Sequence, residues 1–113
     1  YICINNSRIL KFMIEEKYEC HLPEVLRQMR ERLEMPQRKV AAILDIDTAT
    51  YCKIENGKYL PNKEQVEQLA VIFSCNRDDL VKIWLADKIV ELAESDKSVT
   101  TAAMKLANKT LNI

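Results

Sequence analysis

The 113-residue chain has few of the residues on which several classes of functional site depend. It contains a single glycine, so a glycine-rich loop that could cradle a phosphate group is missing. Its four cysteines are scattered without a CxxC pair, and its one histidine is isolated: Cys3, Cys20, His21, Cys52 and Cys75. A zinc site, a disulfide framework and a nucleophile–base pair are therefore not expected. We predict that the protein is not an enzyme and uses no metal or cofactor.

Long apolar runs are missing as well. No run approaches the roughly 20 residues that a membrane-spanning helix requires, and no cleavable signal pattern is present. We therefore expect a cytoplasmic protein without a membrane partner. What the chain does have is 48% hydrophobic residues together with only one glycine and three prolines. This composition favours a compact all-α fold with a single core.

The charge distribution points only weakly to nucleic acid. The formal net charge is zero, which by itself argues against a nucleic-acid-binding protein. Residues 22–63 nevertheless carry eight basic and six acidic side chains, a net charge of +2, whereas residues 64–113 carry six and eight, a net charge of −2. The mildly basic half predicts modest non-specific affinity for DNA and a dependence on specific contacts.

The pattern of residues 37–57 predicts two short helices joined by a tight turn. Apolar residues recur at helical spacing on both sides of the turn: Val40, Leu44, Ile46, Tyr51 and Ile54. The small side chain of Ala41 allows the two helices to cross closely. Such an angled pair is a helix-turn-helix, which leaves the outer face of its second helix free to enter a DNA groove. An ordinary helical hairpin inside an all-α domain fits the periodicity equally well.

A family resemblance favours the helix-turn-helix. The residues that carry it are Gln37, Val40-Ala41, Ile46, Tyr51, Ile54-Glu55-Asn56-Gly57 and Pro61. Over about residues 22–85 the chain resembles the phage-repressor-like regulators of the Cro/cI type, the xenobiotic-response-element (XRE) family. It departs from their pattern at Asp45, where a turn glycine is usual, and at Pro36, where Ser or Thr normally caps the first helix. The resemblance implies a lambda-repressor-like bundle of five helices with a C-terminal helical extension.

The second helix of the pair supplies the candidate base contacts. Asp47 is placed to cap its N-terminus, and its outer face carries Thr48, Ala49, Cys52 and Lys53. Small and hydrogen-bonding side chains of this kind suit base edges in the major groove. By resemblance, the candidate phosphate contacts are Gln37, Arg38, Asn56, Lys58 and Lys63.

We divide the chain into an N-terminal arm or leader (residues 1–21), a DNA-binding domain (22–94) and a C-terminal helical extension (95–113). The N-terminal stretch fits nothing downstream, and Met13 is a candidate start. We expect the residues before it to be extraneous or poorly ordered, with an arm that packs on a partner subunit as the alternative. In the extension we expect Ser98 to cap a helix that packs on the long helix of the same or the other subunit.

The last helix of the domain, predicted from Asn76 or Asp78 to about Glu94, has more apolar residues than one core face needs. We expect the surplus to form an exposed patch that a second copy covers, at Trp84, Leu85, Ile89 and Leu92. The alternative is that the C-terminal extension folds back over these residues. Members of the resembling family dimerise through the last helix, which implies two recognition helices about 34 Å apart on DNA.

On the first helix, we expect Arg27, Arg30 and Arg32 to point to solvent.

The sequence therefore predicts a homodimeric, sequence-specific transcriptional regulator that binds double-stranded DNA at a pseudo-palindromic operator. Phage repressors and the controller proteins of restriction–modification systems are the small regulators that the chain most resembles. One alternative is an antitoxin that neutralises a protein toxin through its tail and regulates its own operon. Another is an interaction module whose helix-turn-helix no longer binds DNA.

Overall fold

The computed structural model of the protein describes residues 21–113. Within this range six α-helices and one short 3-10 turn follow one another without a β-strand. They are α1 (Leu22–Arg32), α2 (Gln37–Leu44), α3 (Thr48–Glu55), α4 (Lys63–Ile72), α5 (Arg77–Glu94), the 3-10 turn Lys97–Val99 and α6 (Thr100–Leu111). The predicted all-α bundle of five helices with a helical extension is confirmed. The expectations for residues 1–20 lie outside the described part of the chain.

Helices α1 to α5 enclose one hydrophobic core. Apolar residues at helical spacing turn inward from all five: Leu22, Val25, Leu26, Met29, Val40, Ala41, Leu44, Tyr51, Ile54, Val66, Leu69, Ala70, Phe73, Leu80, Ile83 and Trp84. Burial of each large apolar side chain contributes roughly 1.5–3 kcal/mol, so this core is the main source of stability. Helix α6 adds no buried residue to it. The extension therefore does not fold back to bury itself on the domain of its own chain.

Local side chains set the helix ends that hold the functional region. The carboxylate of Asp47 accepts a hydrogen bond from the backbone N–H of Thr50 at 2.7 Å and so caps α3. Asn62 and Gln65 form a reciprocal capping box at the start of α4. After α3 the chain reverses at Gly57, whose φ of 77° is a left-handed conformation that favours glycine. The predicted cap at Asp47 is confirmed.

The first helix is capped by a residue of the last helix of the domain. His21, at the N-cap position of α1, makes no side-chain capping hydrogen bond. Instead the backbone N–H of Leu22 donates to Oδ2 of Asp87 in α5 at 2.8 Å. A carboxylate in this place satisfies an N–H that the helix leaves unpaired and interacts favourably with the helix dipole. This hydrogen bond joins α1 to α5 across 65 residues of sequence.

Trp84 does not belong to an exposed patch, contrary to the sequence prediction. Its side chain is only 8% exposed, and its indole Nε1–H donates a 2.7 Å hydrogen bond to the carbonyl of Pro61. The ammonium group of Lys88 lies 4.3 Å from the ring centroid. A buried indole needs a partner for its N–H, and the loop between α3 and α4 supplies one. Trp84 therefore closes the core of its own domain.

Two further local predictions are wrong. The side chain of Arg30 does not point to solvent but is 14% exposed and pairs with Glu55 of α3. Ser98 does not cap α6, because its N–H and its hydroxyl both donate to Asp96. That interaction forms the 3-10 turn, and α6 follows Val99 without a side-chain cap.

Candidate nucleic-acid interface

Helices α2 and α3 form the helix-turn-helix. Asp45 ends α2 with φ 58° and ψ 44°, a left-handed conformation that favours glycine and that Asp tolerates better than most residues. The next residue, Ile46, closes the turn by donating its backbone N–H to the carbonyl of Ala41 at 3.0 Å. Ala41 itself is 1% exposed. A small side chain in the core and a left-handed residue in the turn together allow the sharp change of direction before α3.

The outer side of α3 carries the four predicted base contacts. The residues of α3 that are buried are Tyr51, Ile54 and Glu55. Among the predicted base contacts, Thr48, Ala49 and Lys53 are exposed and Cys52 is half-buried. Helical periodicity places Ala49 and Lys53 on the side opposite the buried residues, with Cys52 at the edge of that side and Thr48 in the first turn. Their short side chains, Lys53 excepted, leave the helix slim enough for a major groove about 12 Å wide.

The predicted phosphate contacts lie on both sides of α3 along the chain. Arg38 in the first turn of α2, Asn56 and Lys58 after α3, and Lys63 at the start of α4 are exposed. Helix α2 begins without a side-chain cap, as the proline at its N-cap position implies, and helix N-termini favour anionic groups. Four of the five predicted phosphate contacts are therefore accessible.

Gln37, the fifth, belongs to a polar network that joins α1, α2 and α3. At its centre is Glu55, whose side chain is 2% exposed. Arg30 donates to both carboxylate oxygens, from Nε to Oε2 at 2.7 Å and from Nη2 to Oε1 at 3.0 Å. Gln37 Nε2 donates to the same Oε1 at 3.0 Å, and Arg30 Nη1 donates to the carbonyl of Met35 at 2.9 Å. This bidentate pair holds α3 at one orientation against α1 and α2.

The network keeps Glu55 ionised although it is buried. Burial raises the pKa of the Glu55 carboxyl, but hydrogen bonds from Arg30 and Gln37 and the charge of Arg30 outweigh burial and lower that pKa below its usual value. The same hydrogen bond raises the pKa of Arg30. Both partners therefore stay charged at neutral pH, as a buried pair must if it is to hold its geometry.

The lowered pKa of Glu55 predicts a loss of stability in acid. The ion pair contributes fully above the unfolded-state pKa of about 4.3, and that contribution disappears as the pH falls through the lower folded-state value. We expect the free energy of unfolding of the wild-type protein to exceed that of Glu55→Gln at neutral pH, and this difference to narrow as the pH falls below about 4.3. Urea unfolding of both proteins across this range measures the gap. A gap that stays constant would contradict the assignment.

Sequence reasoning did not pair Arg30 with Glu55, although part of the signal was present. Tyr51, Ile54 and Glu55 are spaced i, i+3 and i+4, so the carboxylate falls on the core stripe of α3. A charge at such a position needs a buried partner. The identity of the partner was not accessible, because Arg30 lies 25 residues away on another helix.

The described residues contain neither a candidate membrane span nor a candidate metal cluster. Between residues 21 and 113 no helix is both long and apolar enough to cross a membrane. In the same range no group of three or more His, Cys, Asp or Glu side chains is arranged to hold a metal ion. Burial raises the pKa of the Cys75 thiol to about 11, which keeps it protonated and poorly nucleophilic at neutral pH.

Comparison with known families identifies the domain that carries this surface. The family described as Helix-turn-helix matches residues 26–80, from α1 into the first turn of α5. The chain carries a helix-turn-helix domain of the XRE family. No curated protein and no solved structure gives a significant match to the chain. The resemblance inferred from the sequence is confirmed, and the domain is one of DNA-binding transcriptional regulators rather than of enzymes.

Proposed function

We propose that this XRE-family protein binds a pseudo-palindromic operator as a homodimer and reads it through α3. The observation that carries the proposal is the accessible outer side of α3 within the matched domain. The hydroxyl and methyl of Thr48 and the methyl of Ala49 suit base edges and thymine methyl groups, and Lys53 suits the guanine acceptors. Cys52 contributes a small side chain, whose sulfur accepts a hydrogen bond from Asn56 at 3.4 Å.

In the proposed complex the accessible cations flank α3 and bind the DNA backbone. Arg38 binds on the α2 side, and Lys58 and Lys63 bind on the other side, with Asn56 between them. Gln37 donates one amide hydrogen to Glu55, and its second is available for a phosphate oxygen. Each phosphate that a cation neutralises contributes about 0.9 to the slope of log affinity against log salt concentration. Binding should therefore weaken steeply with salt.

A homodimer fits this proposal because one short helix contacts only a few base pairs. Leu85, Ile89 and Leu92 of α5 are 50%, 44% and 75% exposed, and they are available to bind the partner subunit. A two-fold dimer on B-DNA would set the two α3 helices about 34 Å apart. We take residues 22–94 as the DNA-binding unit and residues 95–113 as an extension outside it. Phage-type and restriction–modification operons are the proposed targets, as for the regulators that the sequence resembles.

The second candidate is an antitoxin. The observation that favours it is α6, none of whose residues is buried, because a toxin chain could cover this helix. In that case residues 22–94 would still bind DNA, but only to regulate the operon that encodes both proteins. A toxin gene beside the gene for this chain would favour the antitoxin, whereas a methyltransferase or nuclease gene would favour the controller.

Substitution of Lys53 tests the DNA-reading face. We expect Lys53→Ala to weaken binding to the cognate site by roughly 10- to 100-fold, since a base contact of this kind contributes about 1–3 kcal/mol. The thermal unfolding midpoint should not change, because Lys53 is exposed. The measurement is a gel shift at two salt concentrations, on the DNA upstream of the gene and on a random-site pool.

The matched control is Lys82→Ala, which removes the same charge from α5, where the lysine side chain is 64% exposed. We expect this variant to bind DNA like the wild-type protein. The proposal would be wrong if the wild-type protein bound neither the upstream DNA nor any member of the pool. It would also be wrong if both lysine variants lost the same affinity, since the loss would then reflect net charge alone.

A further inference from the structure

The outer side of α3 carries few side chains that can form hydrogen bonds with DNA bases. None of the eight residues of the helix is Arg, Asn or Gln, although these are common partners of guanine and adenine in the major groove. Lys53 is the one cation of the helix, and Thr48 adds a hydroxyl in the first turn. Much of the specificity of α3 must therefore come from something other than paired hydrogen bonds to bases.

Part of this outer side is apolar. With 3.6 residues per turn, Ala49 lies almost directly opposite the buried residues of the helix, and it is exposed. Cys52 follows one turn later, and its sulfur accepts a hydrogen bond from the amide of Asn56 at 3.4 Å. A cysteine in such a place behaves as a small hydrophobic side chain. Ala49 and Cys52 therefore form an apolar surface that Lys53 borders on one side and Thr48 on the other.

The shortness of these side chains makes the orientation of α3 important. The side chains of Ala49 and Cys52 reach only one and two atoms beyond the backbone, so they contact a base only if the helix itself lies close to it. Two interactions hold the helix in place: the cap at Asp47 and the buried pair of Arg30 with Glu55. A short apolar side chain on a firmly held helix can therefore recognise a group at one fixed position in the groove.

An apolar surface restricts which base edge α3 can meet. In the major groove guanine, adenine and cytosine present hydrogen-bonding atoms, whereas thymine also presents a C5-methyl group. Ala49 placed against a hydrogen-bonding atom would displace water from that atom and offer no partner in return, which is unfavourable. A methyl group carries no such penalty, and its burial against Ala49 and Cys52 is favourable. The C5-methyl group is the part of the base edge that fits this surface.

We infer that α3 recognises the C5-methyl group of a pyrimidine, so that 5-methylcytosine can replace thymine at one position of each half-site. The two bases share that methyl group and differ at C4, where thymine has an oxygen and cytosine an amino group. The hydroxyl of Thr48 can donate or accept a hydrogen bond and suits either group. The inference rests on the proposed binding of DNA through α3 and specifies what the helix reads. A site with cytosine at this position is then bound more tightly when the cytosine is methylated.

The first test removes the methyl group from the DNA. A site is selected from the random-site pool with the full-length wild-type chain, and each thymine of a half-site is replaced in turn by deoxyuridine, which lacks only the C5-methyl group. At one position we expect the affinity to fall about fourfold per half-site, the effect of one buried methyl-sized group, and about 15-fold when both half-sites are changed. With 5-methylcytosine at that position in both half-sites, binding should be about 15-fold tighter than with cytosine. Gel shifts measure the affinities.

The second test changes the partner of the methyl group on the protein. Ala49→Ser places a hydroxyl against the methyl group, and the thermal unfolding midpoint should not change because Ala49 is exposed. We expect this variant to bind the thymine and deoxyuridine sites within about twofold of each other. The control is Ala86→Ser, the same substitution at an exposed position of α5, which should keep the full effect of the methyl group.

The outcomes distinguish this inference from the proposed function. A wild-type protein that binds its selected site equally well with thymine and with deoxyuridine at every position would overturn the recognition of the methyl group and leave the proposed function intact. A selected half-site without thymine, or an Ala49→Ser variant that keeps the full effect of the methyl group, would do the same. A wild-type protein that binds no member of the pool would overturn both.

Discussion

Glu55→Ala is expected to lower the free energy of unfolding by about 3–5 kcal/mol, the cost of leaving one partner of a buried ion pair alone. The side chains of Arg30 and Glu55 are 14% and 2% exposed, so the guanidinium left without its carboxylate is mostly shielded from solvent. Gln37 would also lose its acceptor. Because domains of this size are stable by only about 5–15 kcal/mol, a large share of the total would disappear. Urea unfolding followed by far-UV circular dichroism is the measurement.

A double substitution distinguishes the cost of an unpaired buried charge from the cost of lost packing. Replacing both residues, as Arg30→Met with Glu55→Met, leaves no unpaired charge and should recover most of the stability that Glu55→Ala loses. If the double variant were as unstable as the single one, packing rather than an unpaired charge would explain the loss. We further expect the double variant, even when fully folded, to bind DNA less tightly than the wild-type protein, because Gln37 would no longer be held at the start of α2.

Most of the helix ends and turns can be predicted from the sequence, because each depends on only a few neighbouring residues. The carboxylate of Asp47 and the reciprocal pair of Asn62 and Gln65 define helix starts within three or four residues of sequence. The positive φ of Gly57 follows from its place after the last turn of α3. In the turn, Asp45 adopts the left-handed conformation in place of the usual glycine. Each of these features depends only on neighbours along the chain.

Apart from the Ser98 cap, the features that sequence reasoning missed depend on a partner far away in sequence. Asp87 caps α1 across 65 residues, and Arg30 reaches Glu55 across 25. Periodicity reports that a side chain lies on a given face of its helix, but it does not report what the face meets. For the same reason the sequence could propose DNA contacts on the outer side of α3, yet it could not show that Gln37 is held by a buried carboxylate.

The structure also separates two sets of apolar residues on α5 that look alike in sequence. Ile83 and Trp84 are buried under the bundle, whereas Leu85 and Ile89 are about half-exposed. A count of apolar positions shows that one face is not enough to contain them all, but it does not show which residues lie on which face. Which of these residues are buried depends on where α5 crosses the loop after α3.

Trp84→Ala is expected to destabilise the domain by about 3–5 kcal/mol, the usual cost of removing a large buried aromatic side chain. The substitution leaves a cavity beneath α5 and removes the donor to the Pro61 carbonyl, which lies 23 residues away. Lys58, a proposed phosphate contact, is three residues before Pro61 in the same loop. We therefore expect Trp84→Ala to weaken DNA binding even at a temperature at which the variant is fully folded.

Trp84→Phe is the matched variant because it keeps most of the packing and removes the indole N–H. It should cost less stability than Trp84→Ala, with about 1–3 kcal/mol attributable to the buried carbonyl of Pro61 that loses its donor. Urea unfolding and the gel shift on the same preparations separate the two contributions. If Trp84→Phe bound DNA as tightly as the wild-type protein, the hydrogen bond would not position the loop. If both variants kept wild-type stability, Trp84 would lie outside the core, in the dimer contact that its sequence position first indicated.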